Sequence, residues 1–252
     1  MMTRDSLKNR ARSWVASLVL ALVLPAAWAN PSGVKLDHAP IDPSDTASLQ
    51  RGAQHFMNYC LTCHSAQLAR FDLLLRLGLT EDQVKKNLIL TDAKMADYMT
   101  VVLNPKDAKN WFGVPPPDLS VEARVRGADW LYSYLRGFYR DDHRDGGWNN
   151  RVFHGVAMPN VLWELQGEQV LQPAEGGKPG ELHAEKLVLA SPGKLSPKEY
   201  DQFVADLVNY LVFMAEPARE TRVHIGYGVM IFLAIAFVIT RALKKEYWKD
   251  VH

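Results

Sequence analysis

The chain has 252 residues, 48% of them hydrophobic and 23% charged, with 16 Gly and 14 Pro. This composition excludes collagenous, low-complexity and disordered proteins. A formal net charge of +1, from 29 basic and 28 acidic residues, gives no basis for nucleic-acid binding, which needs a concentrated basic excess. The charge is nevertheless segregated. Four basic residues stand in the first twelve positions and four in the last twelve, so Asn30 to Thr240 holds 21 basic residues against 25 acidic ones.

The N-terminus runs from a basic stretch ending at Arg12 through apolar residues Trp14 to Leu24, then Pro25 and the small-x-small signature Ala27-Trp28-Ala29. This pattern predicts a signal peptide over residues 1–29. Ser48 to Tyr59 places Leu49, Ala53 and Phe56 on one helical face and leads directly into Cys60. Thr80-Glu81-Asp82-Gln83 resembles a capping box and predicts a helix with Val84, Leu88 and Ile89 inward. Met95 and Met99 read as core positions of an amphipathic helical stretch. After Asp118, the spacing of Val121, Val125, Ala128, Leu131, Leu135 and Phe138 predicts a further helix, broken or closely approached at Gly127.

Trp148 to Trp163 has no periodicity and is rich in aromatics, a rigid-loop pattern with Gly155 and Pro159. Gln169–Gln172 and Lys186–Leu189 flank a Pro/Gly-rich loop and predict a small hairpin. Ser196, Pro197 and Glu199 are the N-cap, N1 and N3 of a helix that carries Phe203, Leu207, Leu211 and Met214 and ends before Pro217. Finally, Val223 to Thr240 contains no Asp, Glu, Lys or Arg and is bounded by Arg222 and by Arg241, Lys244 and Lys245. It is just long enough to span a bilayer, and the positive-inside rule leaves the basic tail in the cytoplasm. The expected organisation is a signal peptide (1–29), a mainly α periplasmic domain (30–220) with a small hairpin excursion, one transmembrane helix (221–240) and a cytoplasmic tail (241–252).

Cys60-Leu61-Thr62-Cys63-His64 is a C-x-x-C-H run, suited to covalent attachment of one haem c through two thioethers. The adjacent histidine is placed to reach the iron. A redox dithiol would want a thioredoxin-like context, and a zinc site would want further Cys or His ligands. A second axial ligand is usually Met or His. Of the six methionines after the leader, Met57 is too near the attachment site, Met95 and Met99 are core positions, Met214 precedes the anchor and Met230 lies within it. Met158, in the rigid loop, remains, with His154 as its rival. His38, His55, His143 and His183 have no such context.

Taken with Pro116-Pro117-Asp118-Leu119-Ser120, Arg124 and Arg126, Met158-Pro159 and Ala215-Glu216-Pro217 before a basic-tailed anchor, these motifs resemble the cytochrome c1 family across nearly the whole mature chain. The resemblance implies a cytochrome c-like helical haem domain in the ubiquinol:cytochrome c oxidoreductase (cytochrome bc1) complex of the inner membrane. It implies cytochrome b, a Rieske iron-sulfur protein, a soluble cytochrome c and membrane lipid as partners, with electrons passing from the Rieske protein to cytochrome c. A free-standing anchored cytochrome feeding a terminal oxidase or reductase is the alternative. Pro117 and its neighbours would offer carbonyls to His64 Nδ1, unless the run is only a linker. Asp118 or Ser120 would cap the next helix. Arg126 would pair with a haem propionate, or else be a solvated helix-face residue.

Overall fold

The computed structural model describes residues 34–250, apart from 102, 145 and 174–184. The expected signal peptide lies outside the described residues, as does most of the Pro/Gly-rich hairpin loop. Helix α1 (Thr46–His55) starts at Asp45, whose carboxylate accepts from Ser48 N, and passes into a π-helical turn at Phe56–Cys60. A short 3-10 helix (Phe71–Leu77) and α2 (Glu81–Asn87) follow, with the Thr80–Gln83 capping box present in both directions. Helices α3 (Pro105–Phe112), α4 (Glu122–Arg126), α5 (Ala128–Arg136) and α6 (Trp163–Gln166) are short. The long ones are α7 (Pro197–Ala215) and α8 (Arg219–Tyr247). The architecture is therefore mainly α, as the sequence predicts.

The expected helix after Asp118 is two helices. Gly127, at φ +87°, turns the chain between them, a conformation that glycine alone adopts readily. The break leaves Ala123 of α4 buried while Val125 and the preceding Val121 are exposed, and Phe138, only 1% exposed, falls on a strand. The expected helix around Met95 and Met99 does not form either. Asp97 caps the Lys94 amide at 2.8 Å and makes a tight turn, after which Met99 enters a strand and the core at 0% exposure.

Among the described residues, three two-stranded antiparallel ladders accompany the helices. Strand β1 (Ala66–Arg70) pairs with β2 (Tyr98–Met99), and β3 (Phe138–Arg140) pairs with β4 (Trp148–Asn150). The expected hairpin is β5 (Gly167–Pro173) with β6 (Glu185–Pro192), in register at Val170–Val188 and Leu171–Leu187. The first two ladders are only two to five residues per strand, too short to show a period.

The main core lies between α1 and α7, with Ala53, Phe56, Val204, Leu207, Val208 and Tyr210 fully buried. The two helices touch at Gly52, where an added Cβ would stand 2.0 Å from Asp206 O and 2.7 Å from Tyr210 Cβ. Beside that contact, Asp206 (2% exposed) accepts from Ser48 Oγ at 2.7 Å, Arg51 Nε at 2.6 Å and Gln202 Nε2 at 3.0 Å. Burial pushes its carboxyl pKa up, but these donors outweigh burial and hold it below the usual carboxylate value.

Asp206→Ala should therefore destabilise the protein by about 3 kcal/mol, the scale of breaking a buried ion pair, read as a fall in Tm. Because the folded-state pKa is depressed, the contribution is full above the unfolded-state value of about 3.9 and is lost as pH falls through the folded value. The Tm difference between wild type and variant should shrink at acid pH. An equal difference at all pH values would contradict this account.

Helix α8 has 29 residues with a mean hydropathy of 2.2 over its most apolar window, and none is buried against the rest of the protein. It is long and apolar enough to cross a membrane. It extends past Val223–Thr240 at both ends, because nothing after Pro217 breaks a helix until Trp248 and the flanking charged residues continue it.

Candidate haem site

The π turn widens the end of α1 and presents Cys60 just before the chain folds back, with Cys63 N and His64 N both donating to Cys60 O at 3.1 and 2.8 Å. Such turns recur at functional sites. Both cysteines are half-buried and are not joined to each other as a disulfide. Burial, with Cys63 adding to it, pushes the Cys60 thiol up to about 12.

His64 is 8% exposed, and its Nδ1 lies 2.7 Å from Pro117 O. That carbonyl is held by the residues after it. Asp118 accepts from Gln67 N at 2.7 Å, Ser120 Oγ accepts from Leu68 N at 3.0 Å, and Leu119 N donates to Ser65 O at 2.9 Å. The Pro-Pro-Asp-Leu-Ser run is thus laced to β1. This corrects the expectation for Asp118 and Ser120: they satisfy strand amides, while α4 begins at Val121 with no side-chain cap. Burial lowers the His64 pKa, against the opposing pull of Pro117 O and of Glu122 and Asp118. The imidazole is neutral at physiological pH. With Nδ1–H donated to a carbonyl, the Nε2 lone pair is left for a ligand role.

The loop after β4 reaches the same cleft as His64 and Pro117. Asn149 and Asn150 are both fully buried. Asn149 Oδ1 accepts from Asn150 N and Gly155 N, each at 2.9 Å, and Asn150 Oδ1 accepts from Val152 N at 2.8 Å. Arg144 Nη2 adds bonds to Gly155 O and Val156 O at 3.0 and 3.1 Å. These bonds fix a loop without regular structure and deliver Met158, whose Sδ lies 3.4 Å from Tyr134 Oη. His154, the rival ligand, is exposed, with Nε2 3.3 Å from Asn149 Nδ2.

That cleft is lined by Cys60, Cys63, His64, Pro115, Pro116 and Pro117 together with Ala157, Met158, Pro159 and Val161, and Tyr59, Phe112 and Val114 complete it. His154 and Arg126 are not among the lining residues. Arg126 pairs with Glu122 at 3.0 Å and lies over the Trp130 ring at 4.8 Å. Of the other histidines, His55 stacks on Phe203 at 3.9 Å and burial lowers its pKa to about 4, while His38 is exposed beside Asp129. His183 lies outside the described residues.

The donor set and the cleft fit a c-type haem. Two cysteine sulfurs, an imidazole and a thioether line one cleft whose surface is almost wholly apolar, as a porphyrin face requires. Sequence reasoning missed Asn149, Asn150 and Tyr134. The only available signal was a pair of short amides opening a non-periodic segment, the residue type that bonds its own neighbouring backbone.

Comparison with known proteins gives a consistent result. The Cytochrome C1 family matches residues 37–170 and 193–251. The chain is 46% identical to a cytochrome c1 of Allochromatium vinosum, covering 96% of this chain and 100% of that one. It is 50% identical to a protein named ammonia monooxygenase gamma subunit of Nitrosomonas europaea, covering 93% and 97%. A cytochrome c1 of Rhodospirillum rubrum is 27% identical, covering 95% and 97%.

Proposed function

Because this chain belongs to the cytochrome c1 family, we propose that it is the membrane-anchored one-electron carrier of a cytochrome bc1 complex, taking electrons from a Rieske iron-sulfur protein and passing them to a soluble cytochrome c. One observation carries this reading: Cys60, Cys63, His64 and Met158 line a single apolar cleft. A haem c held there supplies a one-electron iron couple.

The chain's own residues do the rest. Cys60 and Cys63 would hold the cofactor as thioethers, His64 and Met158 would supply its protein ligands, and Pro117 O fixes the tautomer and rotation of the His64 ring. With both ligands supplied by the chain, the bound group would carry electrons and the chain would make and break no substrate bonds. The apolar walls exclude water and keep the environment constant during electron transfer. Arg126, with a side chain 40% exposed at the end of α4, is assigned to a haem propionate. Residues 1–29 are the signal peptide, 30–220 the periplasmic domain, 221–240 the span and 241–252 the cytoplasmic tail, with α8 set among lipid and cytochrome b. The basic residues at and beyond Arg241 support this orientation.

Affinity purification through this chain from solubilised membranes should co-isolate a cytochrome b and an iron-sulfur protein. A chain that comes out alone or with a terminal oxidase would favour the free-standing alternative and overturn this reading.

The acidic excess between Asn30 and Thr240, 25 acidic residues against 21 basic, supports electrostatic steering of a basic cytochrome c. Such attraction is screened over about 10 Å at 0.1 M salt. Second-order reduction of cytochrome c, followed by stopped flow, should slow steadily as ionic strength rises. A flat or rising rate would point to an acceptor that is tethered or docks through apolar contacts.

A further inference from the structure

The methionine that lines the cleft with His64 has a protein partner of its own. Met158 packs with Phe138, Trp148, Val156 and Tyr134 in a small cluster apart from the main core. Within it the Tyr134 hydroxyl lies 3.4 Å from Met158 Sδ. A thioether has no hydrogen to give, so the phenol is the donor.

The ring that carries this hydroxyl is held on several sides. It stacks on Trp130 at 4.8 Å with an interplanar angle of 10°, and meets Phe138 edge-on at 5.2 Å. Its backbone carbonyl accepts from Asn150 Nδ2 at 2.8 Å and from Gly137 N at 3.0 Å. The buried Asn150 therefore ties the end of α5 to the start of the loop that bears Met158. The hydroxyl has no other hydrogen-bond partner among the described residues. A polar group in a mostly apolar cluster is a cost unless it is bonded, and here the bond goes to the sulfur of a methionine that lines the cleft with His64.

We propose that Tyr134 is a positioning and tuning residue for Met158: its hydroxyl orients the thioether and, by hydrogen bonding to the sulfur, holds the reduction potential of the site high. This rests on the assignment of Met158 as the axial ligand. A donor bonded to the sulfur withdraws electron density and makes the thioether a weaker donor to iron. A weaker donor favours the electron-rich reduced state, by the same logic through which bonds to other ligand sulfurs tune potentials.

The test uses the haem-loaded protein in its complex. Tyr134→Phe removes only the hydroxyl and keeps the ring against Trp130 and Phe138. Its midpoint potential should fall, with haem content unchanged and the weak far-red absorption band of thioether-ligated ferric haem retained. Site-specific replacement of Tyr134 by 3-fluorotyrosine, a stronger donor of the same shape, should raise it, and a purely structural role would not give shifts of opposite sign. An unchanged or raised midpoint in Tyr134→Phe, with the far-red band present, overturns the proposal. If the phenylalanine variant does not accumulate, a lowered or unchanged midpoint in the fluorotyrosine protein overturns it instead. A wild-type protein lacking the far-red band would be a different failure, that of Met158 as ligand.

Discussion

Met158→Lys should leave the haem attached through Cys60 and Cys63 while its midpoint potential falls by a large fraction of the ~0.8 V range that axial ligands span. The thioether is a soft, weak donor that favours the reduced iron, and an amine favours the oxidised one. The loop itself should survive the change. Its shape comes from Asn149, Asn150 and Arg144 rather than from Met158, which is only partly buried. A redox titration of the purified variant, alongside a haem stain, checks both halves of the expectation. Quinol should no longer reduce the variant haem, because the driving force from the Rieske protein is gone. An unchanged midpoint would remove Met158 from the site and return attention to His154, which the loop turns toward Asn149 and away from the cleft.

The double change Cys60→Ala and Cys63→Ala should abolish covalent haem altogether. Wild-type protein should keep its haem peroxidase stain and the corresponding added mass after denaturation, and the double variant should lose both. Each single variant should retain one thioether. His64 and Pro117 do not depend on the sulfurs for their contact, so the double variant tests attachment separately from ligation. Loss of the stain from denatured wild-type protein would end the haem c reading.

Much of this architecture was legible in the residues because the signals were local. The capping boxes at Thr80 and Ser196 and the break at Gly127 each rest on bonds or dihedrals within a few positions. The C-x-x-C-H run was equally readable, since one helical turn brings its members together. What stayed hidden was non-local. No pattern announces that Asp118 and Ser120 serve amides some fifty positions earlier in β1, because a carboxylate before a helical stretch looks like a cap wherever its partner is. Met99 read as helical because its apolar spacing is compatible with either period over so short a stretch, and the Asp97 turn decided the matter. Tyr134 gave no warning either. It sits between Leu131 and Leu135 on α5, where an aromatic reads as core, and only the fold brings its hydroxyl to a sulfur 24 positions away.

The central claim, electron flow through this chain from a quinol-linked Rieske protein to a soluble cytochrome c, is tested most directly by rapid mixing. The purified complex is mixed first with ubiquinol and then with oxidised soluble cytochrome c, while the haem of this chain is followed by its own absorption. The haem should become reduced in the first step and reoxidised in the second, at the rate at which reduced soluble cytochrome c appears. A haem that stays oxidised while quinol is consumed, or stays reduced while soluble cytochrome c is reduced, would contradict the account.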